Sequence, residues 1–91
     1  MVTTPTIVGS VTDAQLNGAH GVQVIGRYAY VAALDYAGLT IVDVANPAAP
    51  SIVGTITDAQ LNGARDVQVI GRYAYVAAYD YDGLTIVDVS N

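Results

Sequence analysis

Two stretches of the chain carry the same pattern of hydrophobic positions: residues 28–46 read YAYVAALDYAGLTIVDVAN, and residues 73–91 read YAYVAAYDYDGLTIVDVSN. Each is a pair of apolar runs joined by a short loop containing Gly38 or Gly83. Side chains along a strand point alternately to opposite faces, so Tyr73, Tyr75 and Ala77 share one face of the first run while Ala74, Val76 and Ala78 share the other. In the second run Leu84 and Ile86 are backed by Val87 and Val89. Neither face is made for water. The pattern predicts β-hairpins covered above and below by further sheets.

The rest of the pattern completes a repeating unit. With a shift of 45, Gly9 falls on Gly54, Asp13 on Asp58, Tyr28 on Tyr73 and Asp43 on Asp88. Residues 2–46 and 47–91 are then two units that differ at 11 positions and agree at the other 34. Each unit opens with an outer strand, residues 6–12 or 51–57, entered through Pro5 or Pro50 and carrying Gly9 or Gly54 in its middle. Those features suit an edge strand with a bulge. A seven-residue connector follows, 13–19 or 58–64, whose Asn-Gly pair tolerates positive φ. Seven residues span at most ~23 Å, more than the ~14 Å across a four-stranded sheet. The connector therefore reaches from the outside of one sheet to the inside of the next. A short inner strand, 22–25 or 67–70, ends at Gly26-Arg27 or Gly71-Arg72, where a leading Gly predicts a type II′ turn into the hairpin. Four strand-like runs in a period of 45 fit one blade of a β-propeller and are long for one coil of a β-solenoid.

Composition sharpens the question of stability. A lone domain of 91 residues buries only about 60 to 65% of the surface its unfolded chain exposes. Here 53% of residues are hydrophobic and 12% are charged, against about 25% charged in an ordinary soluble domain. Too little polar surface is available to coat a monomer. No apolar run approaches the ~18 residues of a membrane-spanning helix. The net charge of −5 comes from eight Asp against three Arg, with no Lys or Glu, so no basic stripe exists for phosphates; neither nucleic acid nor membrane is an expected partner. The absence of Cys excludes disulfides and thiolate chemistry without naming a compartment. MVTTPTIVG lacks the basic and long apolar regions of a signal peptide, so secretion is not expected of the chain as given.

The segment GARDVQVIGRYAYVAAYDYDGLTIVDVSN, with LTIVD at 39–43 and again at 84–88, resembles the LVIVD family of β-propeller repeats. The resemblance covers both units and implies an all-β fold of four-stranded antiparallel blades, two per chain. It implies little about function, because the family is known chiefly as a repeat. Thr40 and Thr85 replace the first Val of the motif, and His20, Gly21 and Ala37 stand where the family pattern is closer to Arg65, Asp66 and Asp82.

Propellers close with roughly 4 to 8 blades, and two stacked blades leave an apolar face bare at each end. The expectation is a homo-oligomer: four chains giving eight blades, with three chains giving six as the alternative. The near-identity of the units fits a designed or excised symmetric fragment. Residues 51–57 can pair with 38–44 through the Asn46-Pro47 turn and finish the first blade, whereas unit two is left without a strand to cover its third strand. Thr6, Ile7, Val8 and their neighbours are therefore expected to add antiparallel to Leu84, Ile86 and Val87 of another copy.

Candidate chemistry is sparse. Asp80-Tyr81-Asp82-Gly83 has alternate carboxylates before a Gly, as a Ca²⁺ loop does. Unit one has Ala37 in place of Asp82 and no later Glu completes the set, so a plain turn is the better reading. His20, the only imidazole, precedes an inner strand. Copies ringing a channel would stand too far apart to share one metal ion at ~2.1 Å, which leaves a solvent-facing or hydrogen-bonded histidine. Arg65 and Asp66 at the equivalent place are either a structural ion pair or a means of presenting charge to a ligand at the channel mouth. Asp43 and Asp88 are expected to accept from turn N–H groups. The Tyr pairs 28/30 and 73/75 are expected in the core. No serine lies credibly near a base, and no cofactor is implied. Two readings stand: a structural, self-assembling building block without catalytic activity, or a small-molecule, ion or peptide binding module at the channel mouth.

Overall fold

The two-faced apolar runs do become strands of two antiparallel sheets. The computed structural model describes residues 4–90. In chain order the strands are β1 (Ala19–Ile25), β2 (Tyr28–Ala33), β3 (Gly38–Asp43), β4 (Ser51–Thr57), β5 (Ala64–Ile70), β6 (Tyr73–Ala78) and β7 (Gly83–Asp88). One sheet has the order β1-β2-β3-β4, the other β5-β6-β7. The first blade thus borrows its outer strand from the second sequence unit, as the 51–57 pairing required.

Local geometry follows the turn residues. Gly26 and Gly71 have φ of 60° and 61° while the arginines that follow do not turn positive, the signature of a type II′ hairpin. In each connector a short 3₁₀ turn, Ala14–Leu16 or Ala59–Leu61, is capped by Asp13 or Asp58, whose side chain accepts from the backbone N of Gln15 or Gln60 at 2.9 Å. Thr40 and Thr85 then donate to the carbonyls of Gln15 and Gln60. The threonine of LTIVD is thereby a clamp on the connector, and Thr40 is fully buried.

The inner strands start earlier than expected, at Ala19 and Ala64 instead of Val22 and Val67. A bulge is the reason: the register jumps between Ala19 and Gly21, and between Ala64 and Asp66, which leaves His20 and Arg65 as the extra residues. A third bulge falls between Ile52 and Gly54 opposite Ile41 and Val42, so Val53 is the extra residue there.

Ala37 and Asp82 both sit in the left-handed region, at φ 60° and 62°. A residue with a Cβ is strained there by about 1 kcal/mol, and aspartate tolerates the conformation better than alanine. Ala37→Gly is expected to raise stability by about 1 kcal/mol, measured by chemical denaturation, while Asp82→Ala leaves the turn in place at a smaller cost.

The two blades pack face to face. Tyr30, Ala32 and Leu39 from the first blade meet Ala64, Val69, Ala74 and Val76 from the second, with Leu61 beside them. Gly21 makes this approach possible, since a Cβ on it would stand 2.6 Å from the Arg65 carbonyl oxygen. Gln23 Oε1 accepts from the Val69 amide across the same junction, so a polar side chain is satisfied where the inner strands meet.

Residues 6–12, expected as an outer strand, form no strand in the single chain. The outer edge of β3 is already occupied by β4. Ile7 is 92% exposed and Val8 is also exposed, while the Gly9 backbone lies against the Pro47 carbonyl.

Candidate functional site

Three places bear on function: the open edge and faces of the two packed sheets, the hairpin ends, and the bulged ends of β1 and β5, where the channel mouth was expected.

β7 pairs with β6 on one side and with nothing among the described residues on the other. Leu84 and Ile86 on it are exposed, and Val87 is half-buried against the core. Between β7 and the face of β3 and β4 runs a groove of about 290 Å³ lined by Tyr28, Leu39, Ile41, Gly54, Val87 and Val89. The closure residues named from sequence thus fall into two unpaired segments. Thr6, Ile7 and Val8 form one, and Leu84, Ile86 and Val87 form the other. They do not meet within the chain.

At the hairpin ends, Arg27 Nε and Nη2 donate to Asp43 Oδ2 at 3.0 and 2.6 Å, and the Ala45 amide donates to Asp43 Oδ1 at 2.9 Å. The copy repeats this with Arg72 on Asp88 at 3.1 and 2.6 Å, plus the amide and hydroxyl of Ser90. Asp43 and Asp88 do accept from the turn amides, and their arginine partners are an addition that sequence reading missed. The guanidinium first, and then the turn N–H, hold Asp43 below the ordinary carboxylate value of 3.8, and Asp88 is lowered further with help from Ser90. A depressed folded-state pKa contributes stability that is present above the unfolded value and lost as pH falls through the folded one. Melting temperature is therefore expected to hold from neutral pH to about 5 and to drop below about 4. In Arg27→Gln/Arg72→Gln that drop should be shallower, and the pairs, being solvent-exposed, should weaken with salt.

The mouth assembles differently from the expected ion pair. Arg65 makes no salt bridge to Asp66, and the ion pairs among the described residues are those of Arg27 and Arg72. Instead its guanidinium lies over the Tyr79 ring, 4.4 Å from the centroid, within the range of a cation–π contact. Its Nε is buried without a partner. His20 is exposed, with Nδ1 3.2 Å from the Arg65 carbonyl oxygen. Arg65, Asp66, Tyr79 and Asp82 line one shallow pocket of about 300 Å³. Tyr79 was not singled out from sequence, although its replacement of Leu34 between otherwise near-identical units was visible there.

Asp80 is turned against Gly63 of the connector instead of converging with Asp82. Among the described residues no three His, Asp or Glu side chains gather as a metal site. Of the tyrosines expected in the core, Tyr30 is buried and Tyr28 and Tyr75 are half-buried, whereas Tyr73, the copy of Tyr28, is exposed.

The LVIVD repeat matches the chain twice, at residues 18–58 and 63–91. No curated protein and no solved structure matches the chain.

Proposed function

Because the chain belongs to the LVIVD repeat family, we propose that it is a non-catalytic two-blade building block that closes a β-propeller by head-to-tail association with copies of itself. Four chains and eight blades are the favoured ring, with three chains and six blades as the alternative.

The observation that carries this reading is the unequal burial of identical residues. Leu39 is 1% exposed at the junction inside the chain, whereas its copy Leu84 is 64% exposed; Val69 is 5% exposed and its copy Val24 58%. Each bare end therefore carries the sequence of a surface that the chain already buries against itself. A surface complementary to a different surface on the same molecule builds heterologous contacts, which close into a ring when the rotation allows. The same relation supplies the polar contact. Gln23 is bonded across the internal junction, and its copy Gln68 stands ready to do so across the next.

Strand addition completes the contact. Residues 6–12 of one copy would pair with β7 of its neighbour as β4 pairs with β3, satisfying the open ladder and filling the groove beside it. The near-identity of the units supports a designed or excised symmetric origin. Native mass spectrometry at micromolar concentration tests the proposal. A discrete species of four or three chains supports it, and a monomer, or a ring of five chains or seven blades, refutes it.

A further inference from the structure

Between residues 12–44 and their copies 57–89 the two units differ at only four positions: His20/Arg65, Gly21/Asp66, Leu34/Tyr79 and Ala37/Asp82. Scattered drift would spread four differences over connector, strands and turns. Instead all four second-unit residues line the same shallow, open pocket of about 300 Å³.

The chemistry of the four residues is as specific as their placement. The bulge at Arg65 re-aims that side chain onto the Tyr79 ring. Stacking holds the guanidinium plane while leaving its N–H edge for a planar acceptor. Arg27 and Arg72 are each spent on an aspartate, whereas Arg65 has no carboxylate partner among the described residues and its Nε is buried unbonded. Asp66 and Asp82 line the same pocket and are in neither of these ion pairs. One positive and two negative groups around one cavity complement a molecule that carries both signs and a net positive charge.

We propose that Arg65, Asp66, Tyr79 and Asp82 form a binding site for a small basic amino acid, with its carboxylate on the Arg65 guanidinium and its two amines on Asp66 and Asp82. All four residues belong to one chain, so the site does not rest on the proposed ring. In such a ring Asp66 would stand beside the next copy, as Gly21 stands beside Arg65 within the chain, and the site would open at the edge of that contact. Unit one has no such site. His20, Gly21, Leu34 and Ala37 supply neither the arginine nor the carboxylates, and Gly21 is needed there for the close approach to the Arg65 carbonyl.

The second unit can be converted to the residues with which the first already folds, as Arg65→His/Asp66→Gly/Tyr79→Leu/Asp82→Ala. Thermal denaturation of both proteins is followed with L-lysine, with 1,5-diaminopentane, which lacks the carboxylate, and with succinate, which lacks the amines, all at matched ionic strength. The unaltered protein is expected to show a saturable rise with L-lysine, about 6 to 11 °C at tenfold over the dissociation constant. Smaller effects are expected from the two half-ligands, and none in the converted variant. Native mass recorded on both proteins separates a change of assembly from a change of binding. The proposal is overturned if L-lysine shifts the unaltered protein no more than the half-ligands do, or shifts the converted variant equally.

Discussion

A chain lacking residues 1–11 is expected to lose the closed ring and run at low mass under conditions where the full chain forms the discrete oligomer. The internal pairing of β3 with β4 supplies the template. There Asp43 faces Ser51, Val42 faces Ile52, Ile41 faces Gly54 and Leu39 faces Ile56. Shifting each partner by one repeat, β7 of one copy would set Asp88 against Thr6, Val87 against Ile7, Ile86 against Gly9 and Leu84 against Val11 of the next, with Val8 taking the bulge of Val53. Ile7 then enters the groove between the blades, lined by Leu39, Ile41 and Val87. Truncation removes the ladder and this side chain together, so β7 keeps an open row of N–H and C=O groups beside an apolar face. Ile7→Asp in the full-length chain is the companion variant, since it retains the backbone and places a charge in the groove. A truncated chain that forms the same ring by native mass would remove strand exchange from the mechanism.

Leu39→Ala is expected to destabilise by about 2 to 5 kcal/mol, the usual cost of deleting a fully buried leucine. The informative comparison is Leu84→Ala. In a monomer that side chain stands largely in solvent, and truncating it should change stability by no more than about 0.5 kcal/mol. In a closed ring it occupies the place of Leu39 and should cost nearly as much. Chemical denaturation of the two variants, with protein concentration varied, reads out whether the two junctions are buried alike. A negligible effect of Leu84→Ala at concentrations where the mass shows an oligomer would mean that this face is not the contact.

Much of the fold was legible because the apolar runs at 28–33 and 73–78 leave no polar face, and because Gly26 and Gly71 stand where the tight turns from β1 to β2 and from β5 to β6 need positive φ. Residues 51–57 were assignable to the first blade from the Asn46-Pro47 turn and the need to cover β3. The bulges were not legible. His20, Gly21, Arg65 and Asp66 are polar or lack a side chain, so a reading based on apolar periodicity stops at Val22 and Val67 although the ladder continues to Ala19 and Ala64. The same bulge undid the expected pairing of Arg65 with Asp66. Neighbours along a strand point apart, and the extra residue turns the arginine toward Tyr79, fourteen positions along the chain, across the hairpin. The Arg27–Asp43 and Arg72–Asp88 pairs depend on side-chain reach at the hairpin end. Only the register, with Tyr28 opposite Asp43 and Tyr73 opposite Asp88, brings them together.

The glycine at the contact between the blades has a consequence for the shape of any ring. Gly21 lets the backbone of β1 come so near Arg65 that a single added carbon would stand 2.6 Å from its carbonyl oxygen. At the proposed contact between copies the corresponding residue would be Asp66, which already has that carbon and a carboxylate beyond it. The two kinds of contact would therefore differ in spacing, a tight gap within each chain alternating with a wider one between chains. A ring of four chains built this way has fourfold symmetry, not eightfold, and its central channel is faceted by pairs of blades.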